Sequence, residues 1–297
     1  MTIFESDLEK ARALINALES AISKSETGNL EFTSVAGSSK WLQENTGKIV
    51  VDGTTYDQSL TIIPETENKL ELNLTITSDV GTTSSEILEI YPEDIALEEL
   101  EIKVSGKKMT VPVSTGKLKY VKVIKDGVLE NYQNGTEILF DDIQKARNFI
   151  AAIRVLSENS QVKSRLMNDK PSAHKFLAEN IKNIELEGQT ISQSVEIRDD
   201  DDCKLAFTSL EKDSKGNEIE NRYEWTLSDI DPANSSIAIS GNKLLVSLIT
   251  KDKEKLIKPF KNGEEGNFIN SLDILTEDVL VSKKLLGPFA SLSKACE

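Results

Sequence analysis

The stretch KWLQENTGKIVVDGTTYDQSLTI at 40–62 returns in pattern as KFLAENIKNIELEGQTISQSVEI at 175–197. The offset is 135 (175 − 40) and holds without a gap. Trp41 stands opposite Phe176, Leu42 opposite Leu177, Asn45 opposite Asn180, Gly53 opposite Gly188 and Ser59 opposite Ser194. Working outward, KLEL at Lys69 aligns with KLAF at Lys204, EDI ending at Ile95 with SDI ending at Ile230, and Ser105-Gly106 with Ser240-Gly241. One inserted residue then makes the offset 136: YVKVIKDG at Tyr120 matches LIKPFKNG at Leu256, and Tyr132 and Asn134 match Phe268 and Asn270. EILFDDIQKARNFIAAI at Glu137 matches DILTEDVLVSKKLLGPF at Asp273. Matches over so long a span read as two tandem copies of one domain.

Each copy opens with a short helix carrying Trp41 and Leu42, or Phe176 and Leu177. Segments rich in β-branched residues follow, alternating in polarity: SLTIIP, KLELNLTIT, SEILEIYP, LEIKVSG, KMTVPVS, KLKYVKVIKDG and LENYQNG in copy one. Turn chemistry separates them, with TENK, DVGTT, SGKK, STGK and KDG in copy one and DDDD, DSKGN, SGNK and KNG in copy two. A helix closes each copy, near Asp141–Leu156 and near Glu277–Leu292, and Gly287-Pro288 predicts a kink or a shortening of the second. In the first, Ile143, Ala146, Phe149, Ile150 and Ile153 form one apolar stripe, with Gln144, Lys145, Arg147 and Asn148 outside it. Asp141 and Asp142 stand where the helix dipole favours acids.

FESDLEKARALINAL at 4–18 resembles that closing helix, with Leu8, Ala11, Leu14, Ile15 and Leu18 in the stripe. The predicted organisation is therefore an N-terminal helix within residues 1–25 that reads as the end of a preceding repeat, repeat one over 26–157 and repeat two over 158–297. The predicted fold class is α+β, mostly β.

The chain carries 35 Lys and Arg against 50 Asp and Glu, a formal charge of −15. Neutralising phosphates requires clustered Lys and Arg, so nucleic acid is not an expected partner. No stretch reaches the ~20 apolar residues of a membrane-spanning helix, and MTIFESDLEK has acids where a signal peptide has a basic segment. A soluble chain is expected.

Six or seven strands followed by one amphipathic helix resemble the pleckstrin-homology-like architecture, in which two orthogonal antiparallel sheets are plugged at one end by a C-terminal helix. The wording of KWLQEN and KFLAEN, of YEWTLSDIDPANSSIAISGNKLLVSLITKDKEKLIKPFKNGE and of FDDIQKARNFIAAI is also similar to a group of bacterial repeat proteins. The resemblance covers Phe32–Phe289. It implies no catalytic residue, no cofactor and no metal, and it implies export to the cell envelope slightly more than a cytoplasmic home. Pleckstrin-homology domains hold phosphoinositides through a basic loop. The corresponding turns here read PETENK and RDDDDCK, so binding to anionic membranes is not expected.

Few residues invite chemistry. His174 is the single histidine and reads as an exposed residue at a helix start, with Ser39 at its place in copy one. RDDDDCK at 198–204 offers carboxylates for Ca²⁺, but lacks the alternating ligands and glycine of a calcium loop, so a solvated hairpin is expected. Cys203 and Cys296 make no framework; a bridge between them is possible without being supported. Cys203 among aspartates reads as unreactive and Cys296 as a bystander. Ser209 in SLEK lies on or beside a strand without supporting motifs, and neither GxGxxG nor a phosphate-loop lysine occurs. Trp41 and Trp225 read as core, and Tyr120 and Tyr132 as cross-strand packing.

The function expected is a non-enzymatic protein- or peptide-interaction module, using strand edges or the cleft between copies. Two alternatives stand beside it. One is a hydrolase using the recurring Asp94 and Asp229, which equally read as turn caps; the other is a structural array at the cell envelope. Partner identity and oligomeric state are not legible.

Overall fold

The computed structural model describes residues 31–160, 169–186, 188–198, 201–212 and 216–297. The stripe read within residues 1–25, and Asp199 and Asp200, lie outside them. The described residues gather into two compact units, one within 31–121 and 133–160, the other within 122–132 and 169–297.

The first unit begins with α1 (Val35–Asn45), whose N-terminus is capped by the Ser34 hydroxyl accepting from Gly37 N–H at 3.1 Å. Strands β1 (Ile49–Val51), β2 (Thr54–Ile63), β3 (Lys69–Thr77) and β4 (Thr83–Ile90) follow. Then come β5 (Lys103–Ser105) and β6 (Lys108–Ser114), followed by β7 (Val121–Lys125) and β8 (Val128–Gln133), which continue this run although residues 122–132 group with the second unit; β9 (Gly135–Phe140) and α2 (Ile143–Asn159) close it. They form a six-stranded sheet, β1-β2-β3-β4-β7-β8, and a three-stranded sheet, β5-β6-β9. Hairpin β1–β2 turns on Asp52-Gly53, both at positive φ (49° and 82°), the conformation a type I′ turn demands.

The second unit starts with α3 (Lys170–Asn180) and continues through β10 (Ile184–Leu186), β11 (Gln189–Arg198), β12 (Asp201–Lys212) and β13 (Glu218–Thr226). β14 (Ser236–Ser240), β15 (Lys243–Ile249), β16 (Lys258–Lys261), β17 (Glu264–Glu265), β18 (Ser271–Thr276) and α4 (Val279–Ala295) complete it. Its sheets are ordered β10-β11-β12-β13-β16-β17 and β14-β15-β18. The architecture is mostly antiparallel β with helices, and no described helix is long and apolar enough to cross a membrane.

The apolar faces meet where the alternation places them. In the second unit Leu205, Phe207, Trp225, Val246, Leu248 and Ile274 from the sheets pack with Leu285, Phe289 and Leu292 of α4. In the first, α2 buries Ala146, Phe149, Ala152, Ile153 and Leu156. Two positions depart from the stripe read in the sequence. Ile143, the first helical residue, is 51% exposed because burial starts one turn later at Ala146, and Asn148 is buried. Pro288 does not shorten α4, which runs for 17 residues like α2. The burial of Gly287, Pro288 and Phe289 outweighs one missing helical hydrogen bond.

Candidate functional site

Polar residues recur at aligned positions of the two segments. The structure spends them on the backbone. In the first unit, buried Gln58 on β2 donates from Nε2 to Leu139 O (3.1 Å) and to Gly47 O (3.3 Å), and its Oε1 accepts from Leu139 N–H (2.8 Å). Gln193 on β11 does the same in the second, donating to Leu275 O (3.1 Å) and Lys182 O (2.9 Å) and accepting from Leu275 N–H (3.0 Å). β9 and β18 each end the order of their three-stranded sheet. A side-chain amide thus supplies the donor and acceptor that a further strand would have supplied, and fastens one sheet to the other.

Other shared residues follow suit. The Thr115 and Thr250 hydroxyls donate to Asn134 O and Asn270 O, each at 3.1 Å. Asn45 and Asn180 donate to Trp41 O (2.8 Å) and Phe176 O (2.9 Å) within their helices. Asp142 caps α2 through Gln144 and Lys145 N–H, and Asp278 caps α4 through Leu280 and Val281 N–H.

Among the described residues a concavity lies at aligned positions of the two units. In the first unit it lies between the end of α1, the start of β1 and the β9–α2 junction, lined by Glu44, Thr46, Lys48, Ile49, Phe140 and Lys145 among others. Its counterpart is lined by Asn180, Lys182, Ile184, Thr276, Glu277 and Val281. The first holds about 220 Å³ and the second about 20 Å³, so only the first admits more than a water-sized group. Even it falls below the usual ~300–1,000 Å³ of small-molecule sites. Of its two carboxylates, Asp141 is paired with Lys145 at 3.0 Å and Glu44 with Lys40 at 3.9 Å. Val50, next in the chain to Ile49 of the lining, and Ile143, between Asp141 and Lys145 in the chain, are 61% and 51% exposed, whereas the aligned positions in the second unit are Glu185 and buried Val279.

The residues singled out for chemistry are dispersed. Asp94 and Asp229 each sit on a short 3₁₀ turn, Pro92–Asp94 and Leu227–Asp229. Burial pushes the Asp229 carboxyl above its ordinary range, against the opposing pull of Lys251 and hydrogen bonds from Thr226. His174, expected to be exposed, is 8% exposed on α3, and no described group partners its Nε2. Burial lowers its pKa, Asp202 opposing and Lys170 reinforcing. Trp225 is buried, while Trp41 is only half-buried and meets Phe32 edge-on at 5.7 Å. Tyr132 is buried, Tyr120 half-buried, and Ser209 sits within β12.

Asp201, Asp202 and Cys203 are the one group of three acid, thiol or imidazole side chains close enough to share an ion among the described residues. They make a poor ligand set. Cys203 is disulfide-bonded to Cys296, Asp202 is paired with Lys170 (3.1 Å), and Asp201 accepts from Cys203 N–H (3.0 Å). Cys296 is therefore no bystander. Sequence distance hid the pairing, because β12 and the end of α4 meet only once the sheets are stacked. No family model, curated protein or solved structure matches the chain.

Proposed function

We propose that the chain is a non-enzymatic interaction scaffold built of two tandem pleckstrin-homology-like repeats. The observation that carries this reading is the fate of the shared polar side chains. Gln58 and Gln193, Thr115 and Thr250, and Asn45 and Asn180 are engaged with backbone groups. Catalysis needs convergent groups free to exchange protons or attack, and what is held in common here is a frame. The six- and three-stranded sheets followed by a closing helix in each unit support the pleckstrin-homology-like assignment, and the common strand order supports the repeat.

The partner in this reading is a peptide or protein segment, held at the first unit's cleft. Val50 and Ile143 supply exposed apolar surface within two residues of its lining, and Lys48 adds a cation that pairs with no acid among the described residues. Selection of random peptides on the immobilised full chain tests the reading. Enriched peptides are expected to lose at least tenfold in affinity, about 1.4 kcal/mol, to Val50→Asp with Ile143→Asp. Enrichment that ignores both substitutions, or none in repeated selections, refutes the docking surface. Turnover of an ester, glycoside or phosphate substrate that is lost on Asp229→Asn would replace the scaffold reading with the hydrolase.

A further inference from the structure

We infer that the Cys203–Cys296 bond is a redox latch belonging to the second unit alone: it fastens the end of α4 to the start of β12, so the unit reaches full stability only in an oxidising environment. The bond closes 93 residues of chain at a Cα separation of 5.7 Å. Cys296 is the C-cap residue of α4 and packs against the unit's core. The first unit shows what the latch replaces. At the two offsets of the alignment, 135 and 136, Cys203 falls on Asn68 and Cys296 on Ser160. Ser160 is the C-cap of α2, and Asn68 Nδ2 donates to its Oγ at 3.5 Å. The same two places are joined by a long hydrogen bond in one unit and by a covalent bond in the other. Only the second connection responds to reductant.

The chemistry is thiol–disulfide exchange with a dithiol. One reductant thiolate attacks a cysteine sulfur to give a mixed disulfide. The second then closes the reductant's own disulfide, and Cys203 and Cys296 are left as two thiols carrying the electrons and protons the reductant gave up. The bond is half-buried, so such a reagent has access. Other fasteners persist after reduction: Ser293 Oγ still donates to Ile230 O (2.9 Å), and Leu292 stays in the core. Reduction therefore loosens the unit without abolishing its fold.

The test uses the full chain, secreted into an oxidising compartment, with tryptophan emission as reporter. The chain has two tryptophans, one in each unit, so Trp41→Phe isolates the second unit and Trp225→Phe the first. Alkylation under denaturing conditions followed by mass measurement is expected to find no free thiol before reduction and two after. Reduction is expected to lower the melting midpoint reported by Trp225 by about 10–20 °C, and that reported by Trp41 by less than about 2 °C. The double variant Cys203→Asn with Cys296→Ser writes the first unit's pair into the second. It should melt near the reduced protein and ignore reductant. Free thiols in the secreted protein, an unmoved Trp225 midpoint after confirmed reduction, or a double variant still sensitive to reductant would each overturn the inference.

Discussion

Replacing Gln58 by methionine tests whether a side-chain amide closes the first unit. Methionine keeps the length of the side chain and its burial but removes both the donor and the acceptor. The Leu139 N–H and C=O, now paired with Gln58 at 2.8 and 3.1 Å, would be left facing a thioether. Gln58 is 1% exposed, so water cannot replace the lost bonds without opening the join between β2 and β9. Each unsatisfied buried backbone group costs about 1–3 kcal/mol, and the apolar gain from the thioether returns part of that, leaving a net loss of about 2–4 kcal/mol. A domain of this size is stable by about 5–15 kcal/mol, so the loss is a large fraction of the whole. In urea, with a slope of about 1–3 kcal/mol per molar, the midpoint should fall by about 1–2 M. Trp41 emission in a Trp225→Phe background reads this transition. Gln193→Met should do the same to the Trp225 transition, through Leu275. Gln58→Glu is the sharper variant: it keeps the acceptor for Leu139 N–H but sets a carboxylate against Leu139 O. It should be worse than methionine at neutral pH and recover in acid, where the protonated carboxyl can donate. A midpoint that moves by less than about 0.3 M for methionine would refute the reasoning.

Further outcomes follow from the same geometry. Asn68→Cys with Ser160→Cys should form a bridge in the first unit and raise its unfolding free energy by about 1–3 kcal/mol; failure to cross-link under oxidation would show that the two latch positions are not equivalent. The raised pKa of Asp229 means the folded unit binds a proton more readily than the unfolded chain, so stability falls as pH rises from the ordinary carboxylate value through the raised one. Asp229→Asn should remove that slope and be the more stable protein at pH 7. For His174, lowered by burial, the unfolded chain binds the proton more readily, so stability is lost as pH falls through 6.5 toward the lowered value. His174→Leu should flatten melting midpoints measured across that window, and an unchanged pH dependence would sink the assignment. Sedimentation with phosphoinositide-containing liposomes should find no binding at physiological salt, given a net charge of −15.

The frame was largely legible and its joints were not. Period-two alternation gave KLELNLTIT as a strand, and β3 spans those residues, Lys69–Thr77. Two strands escaped. β1 has three residues, too few for alternation to register, and its one signal was the Asp52-Gly53 turn. β9 ends in Ile138, Leu139 and Phe140, all buried, so no alternation marks it off from the helix that follows. Gln58 left a readable trace: it sits in phase with Leu60 and Ile62 on the inward face of β2, and Gln193 stands at the aligned position. A polar residue held at an inward position in both aligned segments signals a buried hydrogen-bonding task. The burial of His174 and the Cys203–Cys296 pairing left no such trace, because both depend on where a helix lands against a sheet.

Apart from the Cys203–Cys296 bond, the two units share their fasteners and differ beside the cleft. Val50 becomes Glu185 and Ile143 becomes Val279 beside the cleft, and the cleft shrinks from about 220 to about 20 Å³. Gly47 and Lys182 differ completely as side chains, yet each offers its backbone carbonyl to its own unit's glutamine, Gln58 or Gln193. A backbone acceptor constrains position and leaves the residue type free, whereas the amide that reaches it has no substitute of the same reach and polarity. That asymmetry explains how a β-rich frame can be kept while its surface is rewritten. It also makes the sharpest comparison between the units an exchange of surfaces. Writing Lys182→Gly, Glu185→Val and Val279→Ile into the second unit should transfer the proposed peptide capture there at a stability cost of no more than about 1–3 kcal/mol, set by the methylene added at buried Val279, since Lys182 and Glu185 are exposed. Capture that stays with the first unit although the second still folds would place the determinant outside these positions.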